Sequence, residues 1–343
     1  KLSSKLLTQS LTQEPKLANL RAGLVGLGMM GRHHARVLAN LSGVDFVGVC
    51  DPAGDNQNLA QGRPVVKTIA ELIAMKIDYA MVAVPTIYHL EIGKELAAAG
   101  VSAMVEKPLS HDTQSSKELA SAFKNLVGAV GHIERYNASL QEARKRLDQL
   151  GTLYQVVTRR QGPFPARIAD VGVVKDLATH DIDLTSWVTG QKYTSVSART
   201  TYRSGREHED MVAVVASLSG GTISNHLVNW LSPLKERVTI LTGEKGAFVA
   251  DTLTADLTFY ANGTVSTNWD EIAQFRGVSE GDVIRYAFPK PEPLKLEHEN
   301  FRDAVLGKNA DIVTMDQGLA TVVVAEAIIK SAKEQCTVQI AQN

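Results

Sequence analysis

Residues 20–38 read LRAGLVGLGMMGRHHARVL, an apolar run from Ala22 to Val25 that breaks into Gly26-Leu27-Gly28-Met29-Met30-Gly31 and then into a helical pattern from His33. Three glycines at this spacing have separate tasks. The first permits a tight turn, the second lets the backbone approach a pyrophosphate, and the third lets a helix pack close to the strand, with free N–H groups aimed at the anion. A glycine triplet alone is a weak signal. Between this strand and this helix it predicts a Rossmann fold, with Gly26, Gly28, Met29, Met30 and Gly31 against a dinucleotide. Asp51 ends the next apolar run, Phe46 to Cys50, about 20 residues beyond the loop, where a carboxylate accepts the adenosine ribose hydroxyls. A solvated turn residue before Pro52 is the plainer alternative. No Arg or Lys lies in Pro52-Ala53-Gly54 to balance a 2′-phosphate, so the pattern favours NAD over NADP.

Outward from the loop, apolar runs and helix-like stretches alternate as in βαβ units. The runs are Ala22 to Val25, Phe46 to Cys50, Tyr79 to Val84, Ala103 to Val105 and Val127 to Val130. His33 to Asn40, Ile69 to Met75, His89 to Ala99 and Thr113 to Asn125 read as the helices between them. This predicts an α/β, doubly wound parallel sheet over residues 19–132. After Glu134 the pattern changes: one helix, Ser139 to Leu150, leads into Gln155 to Thr158, Ser195 to Thr201, Met211 to Ser217, Gly221 to Trp230, Arg237 to Thr242 and Leu257 to Tyr260. Strands separated by turns rather than helices predict an α+β domain over residues 133–343, built on a large, mostly antiparallel sheet. Two last helices, Glu297 to Leu306 and Gln317 to Lys333, pack back on the core.

The chain has 343 residues, 44% hydrophobic and 21% charged, which suits a globular protein of about two domains. A net charge of −1 gives no overall field to draw it to nucleic acid or an anionic membrane, so anion binding must be local. No apolar run approaches the roughly 18 residues needed to span a bilayer. Residues 1–18 are set aside as an N-terminal extension, because KLSSKLLTQSLTQEPK is too interrupted by polar residues for a signal segment. A cytoplasmic protein is expected. Cys50 and Cys336 lie in no metal-binding or redox spacing and read as small buried apolar residues. No metal is expected: His33 and His34 point different ways at the start of a helix, and His208-Glu209-Asp210 alternate faces of a strand.

Four further motifs carry a resemblance: the glycine loop followed by His34-Ala35, Pro85-Thr86 with His89, Glu106-Lys107-Pro108, and Asp176-Leu177-Ala178-Thr179-His180-Asp181. Together they resemble the glucose–fructose oxidoreductase and inositol dehydrogenase family, Gfo/Idh/MocA, from Leu20 onward. The resemblance implies that Pro85, Thr86, His89, Glu106 and Lys107 join the NAD site, that the Lys107-Pro108 peptide is cis, and that Lys107, Asp176 and His180 surround the nicotinamide and substrate. It also implies a homodimer or homotetramer. Without it, an ordinary surface pair at i,i+4 and a lysine lying along the surface remain open. With it, Asp176 is expected to orient His180 one helical turn away and stabilise its protonated form. His180, titrating near neutrality, becomes the general base for a secondary alcohol, and Lys107 the stabiliser of the developing alkoxide.

Gly131-His132-Ile133-Glu134-Arg135-Tyr136-Asn137 and Arg160-Gln161-Gly162-Pro163-Phe164-Pro165-Ala166-Arg167 resemble the UDP-N-acetylglucosamine 3-dehydrogenase branch. Guanidinium forks match diphosphate oxygens, so Arg160 and Arg167, with Arg159 nearby, are candidate substrate contacts. Surface or subunit-contact charges are the alternative. Arg135 and Asn137 follow the last Rossmann strand, at the edge where ligands collect, and join the substrate set with Lys107, Asp176 and His180. The expected activity is NAD-dependent oxidation of a sugar hydroxyl, the 3-hydroxyl of a UDP-N-acetylhexosamine. A free-sugar or inositol-type polyol dehydrogenase, or a non-catalytic NAD-sensing protein, are the alternatives.

Overall fold

A computed structural model describes residues 19–164, 171–263 and 281–341. Its first sheet contains β1 (Leu20–Val25), β2 (Val44–Cys50), β3 (Val65–Val66), β4 (Tyr79–Val82), β5 (Ser102–Glu106) and β6 (Gly128–Gly131). All six are parallel, in the order β3-β2-β1-β4-β5-β6. Helices α1 (Met29–Leu38), α2 (Ile69–Ala74), α3 (His89–Ala98) and α4 (Thr113–Ala122) fall between the strands. A sheet covered on both faces wants strands apolar on both sides, and every residue of β4 is buried. Leu72, Leu96, Val105 and Leu119 fill one face, and Leu24, Leu38, Phe46 and Met81 the other. Strand order reverses between β1 and β4, which sets the glycine loop at the crevice where such sheets bind ligands. The two-residue β3 was too short to be read from the sequence.

The second sheet has nine strands: β7 (Leu153–Pro163), β8 (Tyr193–Thr201), β9 (Met211–Leu218), β10 (Ile223–Asn229), β11 (Leu231–Gly243), β12 (Gly246–Asp251), β13 (Asp256–Ala261), β14 (Val283–Arg285) and β15 (Val338–Gln339). It is antiparallel except where β10 runs parallel to β7. Burial alternates along β9 from Val212 to Leu218, so one face carries the core and the other is open. The helix read as Ser139 to Leu150 is shorter: α5 (Ala138–Lys145) gives way to a 3₁₀ turn, Leu147–Leu150, before Gly151 reverses the chain at φ +68°.

Helix α6 (Thr179–Thr189) follows a π-helical turn, Val174–Ala178. Helices α7 (Pro293–Val305) and α8 (Met315–Glu334) return to the first sheet. Phe301 of α7 is fully buried and meets the Tyr79 ring edge-on at 5.5 Å. Val130 donates to the Val313 carbonyl at 2.9 Å, so the stretch before α8 covers the edge beyond β6. Met315 and Val322 enter the core of the parallel sheet while Val324 and Ile328 enter that of the second, which makes α8 a shared wall. Truncating Phe301→Ala is expected to cost about 3–5 kcal/mol in denaturant unfolding. A loss below 1 kcal/mol, by the same scale, would mean that α7 does not support the Rossmann core.

Candidate functional site

The glycine loop satisfies the geometry a dinucleotide requires. Gly26 has φ +93°, and a Cβ there would stand 2.4 Å from the Ala83 carbonyl oxygen. On Gly31 it would stand 2.0 Å from the carbonyl of Gly26. The protein itself demands those two glycines. A Cβ on Gly28 would meet no protein atom within 4 Å, so its open side is the cradle a pyrophosphate would use. Helix α1 starts there without a side-chain cap, leaving its first N–H groups available to an anion. Next to it lies a cleft of about 410 Å³ lined by Gly28, Met29, Arg32, Asp51, Asn56 and Gln57, among others. Asp51 accepts the Leu27 N–H at 2.7 Å through Oδ2 and the Ala53 N–H at 2.8 Å through Oδ1. Each carboxylate oxygen keeps acceptor capacity for a ribose hydroxyl. Arg32, Asn56 and Gln57 were not anticipated, because nothing in their spacing marks them.

Pro85 opens a 3₁₀ turn, Thr86–Tyr88, directly after β4. His89 behind it is buried: Nδ1 lies 3.1 Å from the Pro108 carbonyl and 3.3 Å from that of Leu109, and Nε2 lies 3.0 Å from the Val84 carbonyl. The expectation that His89 touches the cofactor is corrected, since both ring nitrogens face backbone. It ties the loop after β4 to the turn after β5, where the Lys107-Pro108 peptide is cis.

That turn meets the π-helical one. Lys107 Nζ donates to the Asp176 carbonyl at 2.6 Å and to Asp176 Oδ1 at 3.1 Å, with both side chains largely shielded. Asp176 therefore holds Lys107 and not His180, contrary to the expected pairing. An i,i+4 alignment assumes 3.6 residues per turn, and the wider turn through Asp176 breaks it. Asp176 Oδ2 and His180 Nδ1 are both buried without a hydrogen-bond partner among the described residues. Burial first, then the charges of Lys107 and Arg160, then His132 and Arg237, hold the His180 pKa well below the ordinary histidine value. The ring is not poised at neutrality but stays unprotonated through it. His132, not singled out from the sequence, stands perpendicular to His180 with ring centroids 6.5 Å apart.

The polar residues expected to bind substrate are mostly occupied. Arg135 is buried and grips Asp183 with Nε at 2.7 Å and Nη2 at 2.6 Å, while Nη1 reaches Gln317 at 2.9 Å. Asn137 caps α5, accepting the Ser139 N–H at 3.1 Å and donating to the Thr252 carbonyl at 2.9 Å. Arg160 is buried between Asp181 at 3.0 Å and Glu134 at 2.8 Å. Arg135 and Arg160 are corrected from substrate contacts to internal struts, because a buried guanidinium takes the partners nearest to it, and Asn137 is corrected to a helix cap. Arg159 lies half-exposed on Glu236 at 2.8 Å. Arg167 falls outside the described residues, as do Pro165, Ala166 and Asp170. Glu209 accepts the Val174 N–H at 3.1 Å and Asp210 the N–H groups of Arg203 and Ser204 at 2.6 Å, so that acidic stretch braces the backbone. Among the described residues no group of His, Cys, Asp or Glu could hold a metal ion, and no helix is long and apolar enough to cross a membrane. Cys50 is buried as expected, whereas Cys336 is exposed at the end of α8.

A parallel sheet with a glycine cradle at its switch point, a lysine at the carboxyl end of β5 and, within reach of that lysine's charge, a histidine at the start of α6 define a dinucleotide-dependent oxidoreductase. The profile of the oxidoreductase family with the NAD-binding Rossmann fold, GFO/IDH/MocA, matches residues 20–132, and that of the GFO/IDH/MocA C-terminal domain matches residues 140–249. The chain belongs to this family, with NAD as its cofactor. It is 29% identical over 213 residues to UDP-N-acetylglucosamine 3-dehydrogenase of Acidithiobacillus ferrooxidans, across 61% of this chain and 66% of that one, just under two thirds of its length. It is 24% identical over 342 residues to inositol 2-dehydrogenase of Rhizobium meliloti, across 94% and 99%. In fold it is similar to the WlbA dehydrogenase from Bordetella pertussis in complex with NADH and UDP-GlcNAcA, with TM-score 0.77 and 22% identity, across 95% of this chain and 100% of that one.

Two outcomes test this geometry. Arg135→Ala leaves Asp183 buried without its partner and is expected to cost about 3–5 kcal/mol of unfolding free energy. A variant of unchanged stability and raised substrate KM would instead make Arg135 a substrate contact. Lys107→Met is expected to lower kcat by about 10²–10³. Because the ammonium opposes protonation of His180, its removal should also move the acid limb of the residual activity upward, toward the ordinary histidine range. A limb that stays in place rules out the coupling.

Proposed function

We propose that the chain is an NAD-dependent dehydrogenase that oxidises a secondary hydroxyl of a sugar or polyol, and in particular the 3-hydroxyl of a UDP-N-acetylhexosamine, to a ketone. One observation carries the chemistry: the Lys107 ammonium is fixed on Asp176 within the electrostatic reach of an unprotonated, half-buried His180. The glycine loop, the first N–H groups of α1, Asp51, Pro85, Thr86, Glu106 and Lys107 would hold NAD. Bound there, it supplies the hydride acceptor.

His180 takes the hydroxyl proton as carbon–hydrogen cleavage proceeds. An ammonium has three donors; two of those of Lys107 go to Asp176, and the third stabilises the alkoxide. Asp176 sets the direction of that third donor and balances the charge. The likeness to UDP-N-acetylglucosamine 3-dehydrogenase supports a nucleotide sugar, with Arg167 as a candidate diphosphate contact. The full-length alignment with inositol 2-dehydrogenase favours a polyol as the second reading, and the occupied guanidinium groups of Arg135 and Arg160 add to it. The open face of β9 and β10, where Val215 and Ile223 are about half exposed, is the surface for a homodimer or homotetramer. We assign the enzyme to the cytoplasm.

Purified protein incubated with NAD and UDP-N-acetylglucosamine should produce NADH absorbance, and His180→Ala should lower the rate by roughly 10²–10⁴. Turnover of inositol without turnover of the nucleotide sugar makes the second reading correct. Tight NADH binding with no turnover of any sugar or polyol would identify a cofactor sensor instead.

A further inference from the structure

Behind Lys107 lies a line of buried groups that the reaction above does not use. Glu106 ends β5 and accepts the N–H of Lys107 at 3.1 Å through Oε2. Its Oε1 stands 2.9 Å from Nε2 of His34 on α1. His34 Nδ1 stands 2.9 Å from Nε2 of His298 on α7, and both imidazoles are buried. His298 Nδ1 is buried with no further partner.

The proton positions follow from donor counting. A carboxylate only accepts, so His34 Nε2 carries a hydrogen toward Glu106. A hydrogen on His298 Nε2 and a lone pair on His34 Nδ1 complete the 2.9 Å contact between the rings with the same polarity. Every donor in the line points at Glu106. The surrounding groups support this polarity. Lys107 adjoins Glu106, His34 faces it from α1, His89 acts on it from α3, His132 from the end of β6, and Glu297 and His298 from α7. Burial holds His298 well below the ordinary histidine range, with His34 and Arg36 adding to it, so it donates as a neutral ring. Glu297 is held well above the carboxylate range by burial and by Glu106 and Asp183, so it stays protonated. Burial alone would raise Glu106, but the His34 bond and the Lys107 charge keep it below the usual range.

We propose that His34 and His298 are positioning residues of the dehydrogenase, a two-imidazole relay that fixes the Glu106 carboxylate against the Lys107 backbone and so fixes where the Lys107 ammonium stands over Asp176. The proposal rests on the reading of Lys107 given above. It makes α7, which touches neither Lys107 nor Asp176 through any bond described, part of the catalytic frame.

Replacing His298 by Leu removes the donor to His34, while His298→Gln keeps an amide N–H in its place. His298→Leu should lower kcat by about tenfold to a hundredfold with less change in KM, as for other groups that orient reacting ones. It should also bring a new acid limb toward neutrality, because a His34 ring no longer held from behind at Nδ1 weakens its bond to Glu106, the bond that holds the Glu106 proton off. His298→Gln should restore both rate and profile. A His298→Leu enzyme with the rate and pH profile of the parent overturns the proposal. So does equal loss in both variants with an unshifted profile, which marks a packing role. If His298→Leu does not fold, His34→Gln, whose amide cannot bridge both neighbours, carries the same expectations. The pH dependence of NADH affinity, read by fluorescence, separates this inference from the function proposed above. If no sugar or polyol is turned over, that function fails, and the relay stands only if the variant, unlike the parent, loses NADH affinity as pH falls.

Discussion

The grip of Lys107 on Asp176 is the contact on which the site depends. An ammonium this shielded from water needs a partner, and the partner comes from the other sheet's side of the molecule. The contact joins the carboxyl end of β5 to the turn that leads into α6. If that turn moved away, it would leave a shielded charge uncompensated, a loss of several kcal/mol where a buried pair is broken. The position of His180, at the start of α6 just after that turn, follows from it, and the Lys107 charge adds to the burial that holds the His180 pKa down. The charge beside His180 and the joining of the two sheets thus share one ion pair.

The junction around that pair is polar to an unusual degree for a helix interface. Thr179, Asp181, Asp183 and Thr185 of α6 are all buried, with Asp181 held by Arg160 and Asp183 by Arg135. Such pairs return little net stability against apolar side chains of the same volume. Their effect is geometric: the bidentate grip of Arg135 accepts one arrangement of Asp183, and Arg160 bridges Asp181 and Glu134. Burial pushes the Asp181 carboxyl up to about 6 even with Arg160 beside it, and the Glu134 charge adds to the rise.

These same residues explain what the sequence could and could not reveal. The glycine loop was legible because its spacing is local: Gly31 is forced by the Gly26 carbonyl within the turn itself, and Gly26 by its positive φ as well as by the Ala83 carbonyl after β4. Lys107, Asp176 and His180 were legible as a set through their motifs, but not their pairing, since a π-helical turn leaves no mark in residue spacing. Arg135 and Arg160 look in sequence like cations awaiting a ligand, and only the fold supplies Asp183 and Asp181. Asn137 reads as a ligand for the same reason, and is a helix cap. His34 and His298 lie in different domains of the chain, 264 positions apart, so no pattern could join them. Polar side chains buried by tertiary contact are the class that sequence periodicity misses, because it assigns burial to apolar residues.

The buried imidazoles share a further property that bears on direction. His132, His180 and His298 are each held below the ordinary histidine range, first by burial, while the Lys107 ammonium is secured by a carboxylate. Placing a fixed cation beside neutral rings separates the two proton-dependent roles: one group remains charged and the other remains able to accept. Under the proposed function that is the state from which an alcohol would be deprotonated, with His180 able to accept and the Lys107 charge held nearby. Reduction of a ketone would need a proton on His180 first, and the same burial that frees the base makes that proton costly near neutrality. On the proposed reading, His180 and Lys107 thus start in the protonation states that hydroxyl oxidation requires.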